Sequence, residues 1–448
     1  MEITLQMMLD AREKRVSVQS ELISRYQRPM ICFTMNIAGP VKNSPLIRRG
    51  FEWGNELLKN QLRRARLPVL HFEERNEATG NEAFYIVDAD PLALKELTAE
   101  IEDGSELGRL FDMDVLDLGG TKIERETLKL KARRCLICNG PAKECARSRR
   151  HSVQELQQKT RRILREAFRR QDARSIARLA SRSLLYEICT TPKPGLVDRA
   201  NNGSHKDMDI FSFMSSVSAL WPYFMECGEI GGATAGDAAE TFRALRWPGK
   251  QAEDAMMEAT GNVNTHKGAI FSMGIVCAAL GRLPRASWRD PARVLNECAA
   301  MTKGLVDRDF AGLNEKNAWT VGQRLYLKYG ITGIRGQAEA GFPAVLKIGL
   351  PVLEQGVARG MSLNDAGCAA LLALIARTTD TNLIARSDRE TQLETAKRIR
   401  LLLDGNPFPD HETIRAIDDE FIRKNLSPGG SADLLAISYC LYFLKYQM

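Results

Sequence analysis

Two aspartates separated by one residue stand in the run Phe111-Asp112-Met113-Asp114-Val115 of this 448-residue chain. Side chains alternate between the faces of a β-strand, so the apolar residues of this run face a core while Asp112 and Asp114 share the opposite face. Adjacent carboxylates repel unless a cation neutralises them, and Mg²⁺ prefers such oxygen ligands when it also holds a phosphate. The run therefore indicates a Mg²⁺ and phosphate site. The alternative is the solvated face of an edge strand, because two aspartates at this spacing are a weak pattern.

The turn after this strand adds flexible backbone and positive charge. Residues 119–122, Gly-Gly-Thr-Lys, follow Asp117, and Arg125 comes shortly after them. Backbone amides in such a turn and the Lys122 ammonium form a favourable environment for an anion. We expect these groups to lie near the metal, where a triphosphate needs them.

Three separated segments of the N-terminal third resemble one known family. They are residues 33–42 (FTMNIAGPVK), 112–125 and 134–151. Together they resemble apo-citrate lyase phosphoribosyl-dephospho-CoA transferase, over residues 1–160. The resemblance implies that a serine of the citrate lyase acyl carrier protein, its gamma subunit, attacks the α-phosphate of the nucleotide and releases pyrophosphate. Ala38 is a departure, because the family is expected to have proline there.

The same resemblance implies roles for the charged residues. Asp112 and Asp114 are expected to carry Mg²⁺. Lys42, Lys122 and Arg125 are expected to balance phosphate charge in the transition state. For each of these three basic residues, ordinary solvated surface is the alternative.

A group of zinc-type ligands follows at Cys135, Cys138, Cys145 and His151. Its C-x-x-C opening resembles half of a zinc knuckle, and thiolates and imidazoles are the ligands that zinc accepts. The remaining spacing is irregular, so packed thiols and an exposed histidine are the alternative. The arginines of residues 147–150 are expected to receive substrate phosphates or the acidic carrier protein, or else to form a solvated basic face.

A second set of charged motifs lies in the C-terminal half. The prolines of residues 190–199 (TTPKPGLVDR) prevent a helix and hold the chain extended beside Lys193 and Asp198. Residues 205–209 (HKDMD) bring a histidine and two aspartates to the start of an apolar helix, where negative charge is stabilised. Capping of that helix explains one aspartate but not the cluster.

Residues 262–269 (NVNTHKGA) precede a helix that is apolar on nearly every side. Such a helix is predicted to be buried, with its N-terminus facing an internal pocket. Free backbone N–H groups and Lys267 at that end favour a phosphate. Residues 333–343 and 379–382 are predicted to be turn-like polar patches that form pocket walls between helices.

Five ordered segments of this half, PKPGLVDR, HKDMD, NTHKGAIF, RGQAEAGFP and DTN, resemble triphosphoribosyl-dephospho-CoA synthase over residues 172–448. The resemblance implies that ribose C1 of ATP is joined to the 2′-hydroxyl of 3′-dephospho-CoA and that adenine is expelled. An oxocarbenium-like transition state needs negative charge nearby, a base for the hydroxyl and an acid for the purine.

The resemblance places these roles on charged residues of the five segments. Asp207 and Asp209 are the leading acid and base candidates, and a Mg²⁺ ion on the triphosphate is the alternative for either. Acid, base and metal roles stay undivided among these two, Asp198 and Asp380. His205 is expected to act as an acid because an ordinary histidine titrates near neutral pH, with packing against a helix end as the alternative. The residues expected to hold phosphates are Lys193, His266, Lys267 and Arg335.

Two positions depart from the synthase pattern. Gln337 stands where glutamate is expected, and residues 386–388 (Arg-Ser-Asp) replace an expected arginine-glycine pair. Neither position is included in the predicted site.

The elements that must position these motifs indicate a multi-domain protein. An α+β, nucleotidyltransferase-type domain is predicted at residues 1–160, a basic helical junction at 161–171 and a larger all-α domain at 172–448. The predicted strands are residues 29–37, 68–73, 83–88 and 109–118. The predicted later helices are residues 210–226, 268–280, 291–303, 318–329, 363–377, 389–403, 410–425 and 431–443.

Composition indicates a cytoplasmic globular protein, with 44% hydrophobic and 27% charged residues. Ten cysteines, mostly scattered singly, are typical of reduced thiols rather than of a disulfide framework. Residues 1–18 alternate apolar and charged side chains, so we expect no signal peptide. The longest apolar segment, 269–280, is shorter than the roughly 18 to 20 residues of a membrane span, and we expect no membrane partner.

Basic residues are concentrated between positions 125 and 182, and many follow one predicted helix. Such a helix suggests a nucleic-acid-binding protein as an alternative function. Phe168 is the one aromatic residue of 155–182, however, and the charges surround the helix instead of forming a stripe. We expect a basic linker and no nucleic-acid partner. A zinc-dependent interaction protein is a second alternative.

Overall fold

The computed structural model describes residues 2–234 and 236–447. Its contacts separate into two compact units, Met1–Phe168 and Arg169–Met448. The division lies within one long helix, Val153–Cys189. The domain limits expected from the sequence, at residues 160 and 172, lie on either side of this division.

An antiparallel four-stranded sheet forms the centre of the N-terminal unit. Its strands are β1 (Met30–Met35), β2 (Val69–Glu77), β3 (Gly80–Val87) and β4 (Phe111–Leu116), in the order β2-β3-β1-β4. All four predicted strands are confirmed, with shifted ends. Strand β4 lies at the sheet edge, where Asp112 is opposite Thr34 and Asp114 is opposite Cys32.

Helices pack around this sheet, so the predicted α+β class is confirmed for the described part of the unit. They are α1 (Leu5–Tyr26), α2 (Pro45–Arg64), α3 (Pro91–Asp103), α4 (Ala142–Arg147) and α5 (Val153–Cys189). Thr4, Ser44 and Asp90 cap the first three, because each side chain accepts a hydrogen bond from a first-turn N–H group.

Apolar residues bury both faces of the sheet in separate cores. The larger core contains Phe33, Phe51 and Phe111. The smaller core packs α1 against strand residues that include Leu116. Asp112 and Asp114 share the face of Leu116 because alternate residues of a strand point the same way.

Side chains of α3 satisfy the backbone at the free edge of β4. The Met113 N–H donates to Glu102 Oε1 over 2.7 Å, and Lys95 Nζ donates to the Met113 carbonyl over 3.4 Å. An edge strand otherwise leaves such groups unpaired. The helix therefore fixes the strand that carries the two aspartates.

The described part of the C-terminal unit contains helices and loops and no strand, so the predicted all-α class is confirmed there. Besides the end of α5, its helices are α6 (Ile210–Ala233), α7 (Ala238–Ala259), α8 (Lys267–Arg282), α9 (Pro291–Thr302), α10 (Leu305–Phe310), α11 (Val321–Tyr329), α12 (Gly333–Glu339), a π-helical turn (Val345–Gly349), α13 (Leu350–Ala358), α14 (Leu363–Arg377), α15 (Thr381–Arg386), α16 (Arg389–Gly405), α17 (His411–Arg423) and α18 (Gly429–Tyr446).

Five α-helices in the described part of this unit were not predicted from the sequence: α7, α10, α12, α13 and α15. Helix α7 contains Pro248, which ordinarily marks a break, yet this proline is buried in the helix. The prediction of turns at 333–343 and 379–382 was wrong in part, because α12 and α15 are short helices. Asp380 starts α15 by accepting hydrogen bonds from the N–H groups of Asn382 and Leu383.

Helices α8, α14 and α18 form the centre of the C-terminal core. The α14 residues from Ala366 to Ala376 are all buried, and so are most residues of α8 and α18. Their apolar character is explained by this packing on all sides. In the parts of the chain that the structure describes, no helix is long and apolar enough to cross a membrane.

Candidate active sites

The acidic pair of β4 has the predicted alternation. Phe111, Met113 and Val115 are fully buried. The side chains of Asp112 and Asp114 are 40% and 30% exposed, so both carboxylates are accessible to a ligand. Burial, followed by the charge of Asp114, raises the pKa of Asp112. Such a shift is typical of like charges held together.

Two cations lie beside this pair. Lys122 Nζ is 2.7 Å from Asp114 Oδ1, and Arg133 Nη1 is 3.3 Å from Asp112 Oδ1. The structure therefore brings Lys122 to the aspartates as predicted. Arg133 was missed, because nothing in its immediate sequence connects it with β4.

Arg125 and Lys42 have other partners. The Arg125 guanidinium is buried, with Nη2 2.7 Å from Glu102 Oε2 and Nη1 3.0 Å from Asp103 Oδ2. These contacts anchor it to the end of α3. Lys42 Nζ donates to the Ile37 carbonyl, and burial lowers the pKa of Lys42. Their predicted phosphate contacts stay predictions.

A cavity of about 970 Å³ lies within the N-terminal unit. Glu102, Asp103, the Cys135–Cys145 region and His151 contribute to its wall. Arg133 also lines it and joins it to the acidic pair through Asp112. Its cationic lining residues are Arg109, Lys131, Arg133, Arg134 and Arg149. This concentration of positive charge suits a phosphorylated substrate.

The four predicted zinc ligands meet in space. One ligand atom each from Cys135, Cys138, Cys145 and His151 lies within 4.8 Å of all the others. Cys138 Sγ and Cys145 Sγ are 3.4 Å apart. The four residues that the sequence analysis grouped together therefore lie together in the structure.

A second cavity, of about 420 Å³, lies within the C-terminal unit. The first residues of α8 and α18 both line it, including Gly268, Gly429 and Gly430. Neither N-cap residue, His266 or Pro428, accepts a side-chain hydrogen bond from its helix. Two helix N-termini therefore face one cavity, as the sequence predicted for α8. Asn264 Oδ1 accepts from the Lys267 N–H over 3.3 Å and Asp380 Oδ2 from the Ser431 N–H over 2.7 Å, so part of each first turn already has an acceptor.

Unsatisfied polar atoms also line this cavity. His266 Nδ1 lies 2.8 Å from Ser216 Oγ, whereas His266 Nε2 and Thr265 Oγ1 are buried without a hydrogen-bond partner in the described part of the chain. Burial, followed by the charge of Lys193, lowers the pKa of His266 to about 3. The neutral ring donates from Nε2 when Nδ1 accepts the Ser216 proton. Such atoms need a polar ligand.

Lys193 and Lys267 both line the cavity and both have carboxylate partners. Lys193 is fully buried, with Nζ 2.5 Å from Glu187 Oε1. Lys267 is half-exposed, with Nζ 2.7 Å from Glu253 Oε2. Two paired ammonium groups therefore lie at the cavity wall, one of them in the first residue of α8.

Two predicted aspartates organise loops. Asp198 Oδ2 accepts a hydrogen bond from the Lys193 N–H over 2.9 Å, and this folds residues 193–198 into a compact turn. Asp380 is buried and accepts from both the N–H and the hydroxyl of Ser431. Neither carboxylate lines the cavity. Each of the two aspartates instead holds in place residues that line the cavity.

Three other predicted residues lie outside the described cavity lining. Asp209 is the N-cap of α6, with Oδ1 accepting from the Ser212 N–H over 2.8 Å, and Asp207 is exposed. Arg335 Nε lies 2.9 Å from Asp309 Oδ2. The structure therefore gives no support for acid-base roles of the two aspartates or for a phosphate contact of Arg335.

His205 lines the cavity between two partners. Its Nε2 lies 2.9 Å from Ser427 Oγ, and its Nδ1 accepts from Arg386 Nη2 over 3.0 Å. Burial, followed by the Arg386 charge, lowers the pKa of His205 to about 4. A histidine held neutral in this way is a poor acid at pH 7. Arg386, which the sequence analysis left out, belongs to this cavity.

Asp433 is a lining residue that sequence analysis missed. Burial, followed by the charges of Glu187 and Asp380, raises the pKa of Asp433 well above its ordinary range. The Asp433 carboxyl lies against Gly268, because a Cβ atom at position 268 would be 1.9 Å from Asp433 Oδ2. The glycine of the NTHKGA segment therefore makes room for a carboxyl group.

Both units match transferase families. Residues 3–167 match the CitX model, described as apo-citrate lyase phosphoribosyl-dephospho-CoA transferase, and residues 173–448 match the CitG model, described as ATP:dephospho-CoA triphosphoribosyl transferase. Protein CitXG of Haemophilus influenzae is 34% identical over 99% of this chain and 97% of its own length. The chain belongs to the CitXG family. Protein CitXG of Leuconostoc mesenteroides is 32% identical, over 98% and 97% of the two chains.

The synthase half of CitXG also has separate relatives. The 2-(5''-triphosphoribosyl)-3'-dephosphocoenzyme-A synthase of Pectobacterium atrosepticum is 39% identical over 63% of this chain and 93% of its own length. The predicted fusion of two transferases is therefore confirmed. So is the predicted bifunctional role in making the citrate lyase prosthetic group and transferring it to apo-citrate lyase.

Proposed function

We propose that the C-terminal cavity binds ATP and 3′-dephospho-CoA, joins ribose C1 to the 2′-hydroxyl and releases adenine. The observation that carries this proposal is that the N-terminal residues of α8 and α18, with Gly268, Gly429 and Gly430 among them, line one cavity. Backbone N–H groups and helix dipoles stabilise phosphate at such ends, and Lys193 and Lys267 add charge. His266 Nε2 supplies a further neutral donor. The triphosphate is held here while C1 reacts.

Two carboxyl groups of this cavity are suited to the proton transfers. Burial raises the pKa of Glu187, and the charge of Lys193 opposes that rise. Burial also raises the pKa of Asp433, and no cation among the described residues opposes it. When their environments push the pKa values of two carboxyl groups apart, the group with the lower pKa can act as the base and the other as the acid. Glu187 takes the proton of the attacking 2′-hydroxyl, and Asp433 gives one to adenine as the C1–N bond breaks. The proton lost by the hydroxyl balances the one gained by adenine.

The N-terminal unit is proposed to be a nucleotidyltransferase-type domain. Its substrates are the triphosphoribosyl-dephospho-CoA and a serine of the citrate lyase acyl carrier protein, the gamma subunit. The serine oxygen attacks the α-phosphate, and pyrophosphate leaves. Arg133 and Lys122 place positive charge beside Asp112 and Asp114, where the phosphates are expected to bind. Arg125 acts through Glu102 by fixing the end of α3.

Mg²⁺ fits the acidic pair of β4. Asp112 and Asp114 are adjacent, half-exposed and on one face, and carboxylate oxygens are the ligands that Mg²⁺ prefers. When bound, the ion would neutralise charge on the triphosphate. The two aspartates would hold it, and Asp112 contacts Arg133, which lines the cationic cavity.

One assay tests both halves of this function. The purified chain receives ATP, 3′-dephospho-CoA and apo-carrier protein, and adenine and pyrophosphate are measured separately. We expect adenine without carrier protein and pyrophosphate only when carrier is present. Pyrophosphate release from ATP and 3′-dephospho-CoA alone, without adenine, would contradict the proposal.

A further inference from the structure

We infer that Cys135, Cys138, Cys145 and His151 bind one structural zinc ion in the N-terminal unit. Their ligand atoms lie within 4.8 Å of one another. Tetrahedral zinc with Zn–S bonds of about 2.3 Å separates its sulfur ligands by about 3.8 Å. Small side-chain movements therefore bring the four atoms to an ion at their centre. Three thiolates and one imidazole are a common structural zinc set.

The histidine supplies an independent observation. Its Nε2 atom is buried and has no hydrogen-bond partner in the described part of the chain. A buried polar nitrogen without a partner is unfavourable. A zinc ion bound through Nε2 would give this atom its partner.

The loop that carries these ligands has almost no apolar core. Between residues 117 and 162, Cys135 and Cys145 are the buried hydrophobic residues among those the structure describes. Before α5 begins at Val153, the α-helix described in this segment is α4, with six residues. Small segments without a core are often held by a metal, whose binding free energy then stabilises the fold.

Backbone hydrogen bonds give the loop the turns that such a site requires. The Cys135 N–H donates to the Gly140 carbonyl over 2.7 Å, and the Asn139 N–H donates to the Cys135 carbonyl over 3.1 Å. Asn139 and Arg149 have φ values of 60° and 47°. These turns bring the first cysteine pair toward Cys145.

The ion would position the cationic wall of the 970 Å³ cavity. Arg133 and Arg134 directly precede Cys135, and Arg149 lies between the last two ligands. Arg109 Nη2 donates to the Cys135 carbonyl over 2.8 Å. Four protein ligands leave no open position on zinc, so its role is to hold the arginines rather than to activate water.

Metal content of the reduced full-length chain tests this inference directly. We expect about one zinc per chain by elemental analysis, and cobalt uptake by chelator-treated protein with thiolate-to-cobalt absorption. Cys138→Ser with Cys145→Ser should lose the zinc, whereas Cys189→Ser should keep it. Absence of both zinc and cobalt binding would overturn the inference. So would unchanged zinc content in the double variant, or a Cys138–Cys145 disulfide in protein kept reduced.

The second activity of the chain separates zinc from overall folding. Zinc removal should lower carrier-dependent pyrophosphate release about 10-fold or more, because the arginines lose their fixed positions. Adenine release should be unchanged. Equal loss of both activities would overturn the structural assignment. The metal content is measured without any activity, so its result stands apart from that of the proposed function.

Discussion

Gly268 at the start of α8 lies against the carboxyl group of Asp433 in α18, with space for a hydrogen atom but not for a methyl group. A Cβ at position 268 would be 1.9 Å from Asp433 Oδ2. Two helices thus meet at the wall of the C-terminal cavity, one offering N–H groups and the other a carboxyl group. On the proposed function, this contact joins phosphate binding to proton transfer.

Gly268→Ala should therefore impair the synthase reaction. The new methyl group displaces the Asp433 carboxyl, and misplacement by about 1 Å lowers rates about 10²-fold. Adenine release is the measurement. Gly405→Ala is the matched control, because Gly405 also lies in a helix and a Cβ there meets nothing within 4 Å. Equal adenine release from the two variants would contradict this account.

Asp433→Asn should lower adenine release about 10²- to 10⁴-fold, the usual contribution of a positioned acid. In the wild type, rate should fall as pH rises through the raised pKa of Asp433, because only the protonated carboxyl donates. The variant should lack this fall. The pH profile of adenine release checks both statements, and a profile that is unchanged in Asp433→Asn would exclude Asp433 as the acid.

The sequence analysis named Asp207 and Asp209 as the leading acid and base candidates. Replacing both tests that assignment against the one to Glu187 and Asp433. The Asp207→Asn, Asp209→Asn double variant should retain adenine release, because neither residue lines the cavity. Asparagine caps a helix about as well as aspartate, so the change at position 209 should alter stability little at neutral pH. Hydrogen bonds from Ser212 lower the pKa of Asp209, so its stabilising effect is present at neutral pH and lost on acidification. Abolished adenine release in folded protein would restore the sequence-based assignment.

Local patterns predicted one site better than the other for a physical reason. Asp112 and Asp114 face one side because strand periodicity is a property of neighbouring residues. Asp433 stands in an apolar helix, and only tertiary packing brings it to Gly268. Arg133 likewise reaches Asp112 across a loop. Residues that meet only through such long-range contacts have no fixed spacing in the sequence, so no local motif reveals them.

Asp112→Asn with Asp114→Asn should abolish the transferase half-reaction while sparing the synthase. On the proposed function, the variant no longer has the carboxylates that would hold Mg²⁺, and Lys122 loses its ion pair with Asp114 and Arg133 its ion pair with Asp112. Pyrophosphate release with carrier protein should fall about 10²-fold or more. Adenine release serves as the internal control. Loss of both products would argue against two independent sites.

His205 should remain neutral from about pH 5 upward, because burial and Arg386 lower its pKa to about 4. Removing the cation in Arg386→Gln should raise that pKa toward the ordinary value for histidine. The imidazole resonances of His205, followed by NMR against pH, provide the measurement. Titration of the wild-type ring near pH 6.5 would contradict the Nδ1 contact with Arg386.

The buried pair Lys193–Glu187 should respond asymmetrically to substitution. Lys193→Met leaves the Glu187 charge without its cation in the interior and should destabilise the chain by about 3 to 5 kcal/mol. Adding Glu187→Gln removes that charge and should recover much of the loss. Thermal unfolding of the three chains measures the difference, and adenine release should stay low in both variants because the proposed base has lost its environment or its carboxylate. If the double variant is less stable than Lys193→Met, the Glu187 carboxylate is tolerated in the interior without Lys193, and this account is wrong.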